Sequence, residues 1–207
     1  MNALITKLQT LQNTSVIDVI NQRIDEFKTK RNKPSEDLFI ELCFCILTAN
    51  CAAESCLHAQ QYIGKDFLNL DQKTLTKKLR VCGYRFPNTR AAYIVEATTY
   101  APLLKEKISA LKHEQRREWL VNNIKGIGYK EASHFLRNVG YEDYAIIDKH
   151  ILTVLADYHI IIKPKAMNKK YYLQIEKKLQ EIAQKTNMTP AMLDLYLWYM
   201  QTGKILK

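Results

Sequence analysis

The stretch Lys125-Gly126-Ile127-Gly128-Tyr129-Lys130-Glu131-Ala132, with Ala145-Ile146-Ile147-Asp148-Lys149-His150 after it, decides how this chain is read. Upstream, Gln115 to Ile124 carries Trp119, Leu120 and Ile124 at helical spacing, and downstream Ala132, Phe135, Leu136 and Val139 do the same. The segment therefore predicts helix, hairpin, helix. Gly126 and Gly128 are expected to take positive φ and to let the backbone approach another molecule closely. The outward amides of such a turn, with the N-terminus of the helix starting near Tyr129, suit a phosphate oxygen. That is a grip on DNA that ignores sequence.

Taken alone, Gly-x-Gly between helices is a tight connection and nothing more. Its neighbours give it weight. Lys130 sits two residues after the second glycine, and Asp148 follows eighteen positions later at another predicted helix start. Asp148 reads as an N-cap, because Ile151, Leu152 and Leu155 repeat at helical spacing after it. A capping role is compatible with catalysis.

Gly126-x-Gly128-x-Lys130-x-Ala132, then Ile147-Asp148-x-His150, resembles the helix-hairpin-helix DNA glycosylase superfamily in its lyase-capable branch. Motif pair, spacing, predicted helices, chain length and basic charge all share in the likeness, which spans nearly the whole chain. The compact size, and a lysine closing the chain soon after a Trp-containing helix, are most similar to type 2 8-oxoguanine DNA glycosylases. The resemblance implies an all-α fold of two closely packed helical lobes, roughly 32–136 with the hairpin and 1–31 with 137–207, and an active site in the cleft between them. It further implies that Lys130 and Asp148 are catalytic and that the partner is double-stranded DNA containing oxidised bases, bound by a monomer.

Length and charge agree with that. A chain of 207 residues holds one sizeable core or two joined helical lobes. Lys plus Arg number 31 against 21 Asp plus Glu, a net charge of +10 that favours a polyanionic partner. A charge excess is usually a solvated surface, so by itself it leans only modestly toward nucleic acid. Cys43, Cys45, Cys51, Cys56 and Cys82 all lie in the first half of the chain within apolar helical patterns, and they read as reduced core residues of an intracellular protein. Cys43-x-Cys45 is not a zinc spacing. Iron-sulfur members of the superfamily use four cysteines after the catalytic aspartate, whereas none follows Cys82 here, so no metal and no cofactor are expected. No secretory pattern opens the chain, and no apolar run is long enough to span a bilayer.

Along the chain, Ala3 to about Lys30 predicts one helix, and Leu38 to Ala49 a helix buried all round. The turn after it contains Asn50, either a local cap or, by the resemblance, the amide that fills the gap left by an extruded base. Asp71 predicts an N-cap for a short helix that stops at Gly83. The loop Gly83 to Arg90 is aromatic and basic, with Pro87 setting the next helix start and a helix expected over Ala91 to Leu104. Surface packing explains this loop. The resemblance offers instead Phe86 as a wedge in the base stack, with Arg85 and Arg90 near phosphates. Lys112 to Arg117 reads as a solvated basic helix start, with DNA contact expected only near Lys125. Tyr158 to Ile162 carries a weak strand signal, and a helix is expected from about Asn168 to Gln184.

The last helix is clearly punctuated by Thr189, Pro190 and Gly203. Asp194 and Trp198 share one face of it, and Asp194 reads on its own as a first-turn dipole partner. The resemblance places this helix and the chain terminus beside the base pocket, where the α-carboxylate of Lys207 would accept from the N7 proton of the oxidised base. A frayed terminus is the ordinary alternative. His150 either touches a phosphate or packs.

An ordinary lysine has a pKa of roughly 10.4, so making its amine neutral at pH 7 costs about 4 to 5 kcal/mol. Burial near a positive helix end lowers that cost, and a nearby carboxylate raises it. Asp148 is therefore better suited to stabilising the cation that develops on the sugar, with a proton relay as its other option. Two other functions fit parts of the pattern. A glycosylase for oxidised pyrimidines would use the same motif pair. A noncatalytic helix-hairpin-helix module that binds DNA would need the glycines but not Lys130 with Asp148.

Overall fold

The computed structural model describes residues 1–206. Lys207, named above as a candidate for base recognition, lies outside the described residues. Among those residues there are helices, turns and no strands, an all-α fold. The chain divides into two compact units, Lys30–Phe135 and Met1–Thr29 together with everything from Leu136 on.

The first unit is built on α3 (Ser35–Thr48), which is apolar on every face. From Leu38 to Leu47 only Ile40 is not buried, and Glu41 is the single charge in that run. A helix this apolar has to sit in the middle of a unit, and α4 (Ala53–Ile63), α6 (Pro87–Ala97) and α7 (Leu104–Ala110) pack around it. Glu41 is only 2% exposed; it pairs with Lys30 and accepts from Gln60, so its charge is not left bare. The short α5 (Gln72–Val81) is capped by Asp71, whose Oδ1 accepts from the Thr74 amide at 2.8 Å. The unit ends with α8 (His113–Asn123), the hairpin and the first part of α9 (Tyr129–Asn138).

In the second unit α10 (Lys149–Asp157) and α11 (Lys169–Lys185) pack on α12 (Pro190–Thr202). The punctuation of α12 matches its sequence: Thr189 Oγ1 accepts from the Met192 amide, Pro190 opens the helix, and Gly203 closes it at φ 67°.

Three expectations fail for local reasons. The single helix over 3–30 is two, α1 (Asn2–Gln12) and α2 (Val16–Arg31). The Thr14 hydroxyl donates to the Leu11 carbonyl at 2.7 Å and accepts from the Val16 amide, competing with the helical ladder. The helix expected over 91–104 starts at Pro87, ends at Ala97 and continues as a 3₁₀ segment, Thr98–Leu103. There the hydroxyls of Thr98 and Thr99 bond carbonyls three residues back, and Pro102 has no amide to give. The apolar run at 158–162 is not a strand. It reverses at His159 (φ 54°), with the Ile160 amide folding back onto the Leu155 carbonyl.

Candidate active site

In the unit Lys30–Phe135 the hairpin connects α8 to α9. Gly126 has φ +82°, and a Cβ added there would lie 2.6 Å from the Tyr93 ring and 3.2 Å from an Arg90 nitrogen. Both the backbone and the neighbours thus require glycine. Gly128 differs from expectation, because it does not have positive φ. Its constraint is contact: its amide donates to Glu131 Oε2 at 3.2 Å, and the same oxygen is what an added Cβ would meet.

Lys130 occupies the second position of α9, 29% exposed in its side chain, with Nζ 3.0 Å from Glu131 Oε1. Glu131 therefore spans hairpin and lysine with its two oxygens. The direction of α9 is set from beneath by Arg117. That side chain is fully buried, donates to Ser133 Oγ at 3.1 Å and to Glu114 at 2.7 Å, and lies 5.1 Å from the Tyr129 ring centroid. The solvated reading of Lys112 to Arg117 is wrong at Arg117. Leu120 and Ile124 lie three and seven positions on, and both are buried. This spacing puts Arg117 on the inward stripe, a signal the sequence carried.

Of the remaining sequence candidates of this unit, Arg90 reaches the turn that follows α3. Its guanidinium donates to the Ala49 carbonyl at 3.0 Å and lies over the Tyr93 ring, while the Tyr84 hydroxyl donates to the Leu47 carbonyl at 2.6 Å. The loop holding Arg85 and Phe86 is thereby tied to the turn holding Asn50, which is exposed at φ 61°. Arg85 is exposed and stacks over the half-buried Phe86 ring. Lys125 is exposed and paired with Glu96 at 2.8 Å, and that partner raises its pKa.

In the other unit Asp148 caps α10. Its Oδ1 accepts from the amides of His150 at 2.8 Å and Ile151 at 3.0 Å, and Oδ2 takes part in neither bond. The His150 ring meets Trp198 edge to face, centroids 4.6 Å apart, and the buried Trp198 indole nitrogen has no hydrogen-bond partner among the described residues. Asp194 lies one turn before Trp198. It is buried, paired with Arg137 through Oδ2, and accepts from the Ile146 amide at 3.1 Å through Oδ1. Burial pushes its carboxyl up to about 6; Asp148 pushes the same way, and Arg137 pulls against both. Sequence reasoning did not find Arg137, whose partner is 57 positions away.

The Ogg-HhH family model, described as 8-oxoguanine DNA glycosylase, matches residues 20–188. The 8-oxoguanine DNA glycosylase/AP lyase of Methanocaldococcus jannaschii is 49% identical over 206 residues, 99% of each chain. The protein of that name from Korarchaeum cryptofilum is 45% identical, over 99% of this chain and 98% of its own. Among solved structures, the M. jannaschii glycosylase/lyase in complex with a 15mer DNA containing 8-oxoguanine has a TM-score of 0.96 at 48% identity, covering 99% of this chain and 100% of that one. The Thermotoga maritima 8-oxoguanine DNA glycosylase gives 0.93 at 43% identity, covering 100% and 99%. With a family model matching most of its length and relatives this similar from end to end, the chain belongs to the 8-oxoguanine DNA glycosylase family.

Proposed function

We propose that this protein excises 8-oxoguanine from duplex DNA and nicks the strand at the resulting abasic site, with Lys130 as nucleophile and Asp148 as the carboxylate that answers the sugar cation. The observation that carries this is a half-exposed lysine opening the helix after a glycine hairpin, in a chain similar over nearly its full length to proteins named glycosylase/AP lyase. The DNA-bound relative supports duplex DNA as the partner. We read the protein as a monomer acting on DNA inside the cell, and no described helix is long and apolar enough to cross a membrane.

The base can be reached only after its nucleotide leaves the stack. The lone pair of neutral Lys130 attacks C1′, and the C1′–N9 bond breaks with its electrons going to the base, which takes up the proton the amine sheds. Nitrogen then forms a double bond to C1′ while the C1′–O4′ bond opens, O4′ gaining a proton from water. Loss of a C2′ proton expels the 3′ phosphate, and water hydrolyses the imine to return the lysine. Asp148 suits the first step, because capping uses Oδ1 and a fixed anion stabilises developing positive charge without reorganising. The hairpin backbone at Gly126 and Gly128, with the Gly128 amide first leaving Glu131, and Lys125, Arg85, Arg90 and His150 are the proposed phosphate contacts, Phe86 the wedge and Asn50 the gap filler. Trp198, whose indole N–H has no partner among the described residues, borders the proposed base pocket, with Asp194 one turn before it on α12. Lys130→Gln keeps affinity for lesion DNA and loses borohydride trapping. Continued trapping would remove Lys130 from the mechanism.

A further inference from the structure

The chain that leads into Asp148 is buried without being part of any regular element. Ala145, Ile146 and Ile147 are 1%, 7% and 3% exposed, yet no described residue is in a strand. Buried amides and carbonyls need partners, and here side chains supply them. The Tyr172 hydroxyl, from α11, donates to the Ala145 carbonyl at 3.1 Å and lies 3.4 Å from the Ile147 amide. Asp194, from α12, takes the Ile146 amide between them. Asp194 is in turn gripped by Arg137 of α9, whose remaining nitrogens bond Asn138 Oδ1 and whose guanidinium lies over Phe27.

We infer that Asp194 is a positioning residue for Asp148: with Arg137 and Tyr172 it fixes the extended backbone that delivers the Asp148 carboxylate. Both Asp194 oxygens bond within this network and the residue is only 4% exposed, so it acts through the backbone and not by reading the base. A charged acceptor gives a stiffer bond to an amide than a neutral one, and Ile146 is only two residues from Asp148. Asp148 caps α10 from the other side, so it is held at both ends.

The inference rests on the glycosylase/lyase reading, and the two are tested in one set of single-turnover assays on duplex containing 8-oxoguanine. Asp194→Asn leaves an acceptor for Ile146 but turns amide donors toward Arg137. A carboxylate misplaced by a fraction of an ångström to an ångström lowers excision by about ten- to a hundredfold. Affinity for duplex carrying a tetrahydrofuran abasic analogue stays within about twofold, since phosphate contacts are elsewhere. The decisive readout is the double variant. Adding Asp194→Asn to Asp148→Asn slows residual excision no further, because no carboxylate is left to place. A general loss of folded protein, or direct reading of the base by Asp194, would instead multiply the two losses and overturn the inference, as would full activity in Asp194→Asn. Should Asp194→Asn not fold, Tyr172→Phe loosens the same segment with the ion pair intact. It is expected to slow excision several-fold, again only while Asp148 is present, and unchanged excision counts against the inference. If the unaltered protein excises nothing, the underlying reading itself has failed.

Discussion

Glu131 joins the hairpin to the lysine: one carboxylate oxygen accepts from the Gly128 amide at 3.2 Å and the other lies 3.0 Å from Lys130 Nζ. The nitrogen that has to reach C1′ is thus engaged by a carboxylate, so this ion pair opposes the first step and must separate for it. Glu131→Gln keeps an oxygen for Gly128 and removes the charge. Borohydride trapping on 8-oxoguanine duplex at pH 6.5 is expected to rise by about 1.5- to 5-fold, the range for a partly exposed ion pair. A fall in trapping would show that Glu131 helps the reaction, as acceptor of the lysine proton.

The two hairpin glycines should respond differently to alanine. At Gly126 the methyl meets the Tyr93 ring at 2.6 Å and the backbone is left-handed. The φ penalty alone is about 1–2 kcal/mol, and the clash adds to it. At Gly128 the methyl meets only the tip of Glu131 at 3.2 Å, an oxygen that can swing aside. Urea denaturation should therefore rank Gly126→Ala well below Gly128→Ala, and equal stabilities would refute the contact described for Tyr93.

Arg117 carries the packing of α8 on α9. Arg117→Ala strands Ser133 and leaves a void under Tyr129, at an expected cost of about 2–4 kcal/mol. That is somewhat below the usual loss for a buried charge pair, because Glu114 is 44% exposed and regains water. Arg117→Met fills the space and should recover part of the loss, measurable as a higher urea midpoint. If both variants match the unaltered protein, the buried network has no part in holding the hairpin.

Much of this was legible because it is local. Asp71, Asp148 and Thr189 cap the helices they precede in sequence, and α3 is apolar enough to be placed at a centre without any tertiary knowledge. The misses at Thr14 and Thr98 come from hydroxyls that compete with the ladder, a preference overridden in other helices by packing. The supports of Lys130 and Asp148 were harder to see. Glu131 reads as an ordinary surface acid until its two oxygens are located, and Arg137 finds Asp194 across 57 positions and Tyr172 finds Ala145 across 27. Helical periodicity places a residue on a face and does not name its partner.

The buried Asp194 also predicts how stability changes with pH. An exposed aspartate titrates at about 3.9, and burial raises this one to about 6, with Arg137 opposing and Asp148 assisting. A raised carboxyl favours the protonated fold, so its contribution is fully present below about 4 and is lost as pH rises through about 6. Asp194→Asn does not titrate. In urea denaturation the stability of the unaltered protein relative to Asp194→Asn should fall between pH 4 and 6 and then level off. The opposite slope would mean that Arg137 outweighs burial and that the ionised pair stabilises the fold.

Asp148→Asn separates the cap from the chemistry. Asparagine caps a helix about as well as aspartate, so the change should cost under about 1 kcal/mol, lost mainly from the charge at the positive end of α10. Excision is a different matter, because a neutral amide offers little to a sugar cation. A fall of about a hundredfold or more is expected on 8-oxoguanine duplex, in line with removal of one fixed group that stabilises transition-state charge. Strand cleavage at a preformed abasic site should suffer less, since there the base has already gone and no C1′–N9 bond has to be broken. Equal losses on the two substrates, with the urea midpoint preserved, would assign Asp148 to proton transfer from Lys130, a step that both reactions share, and would withdraw it from stabilising the cation.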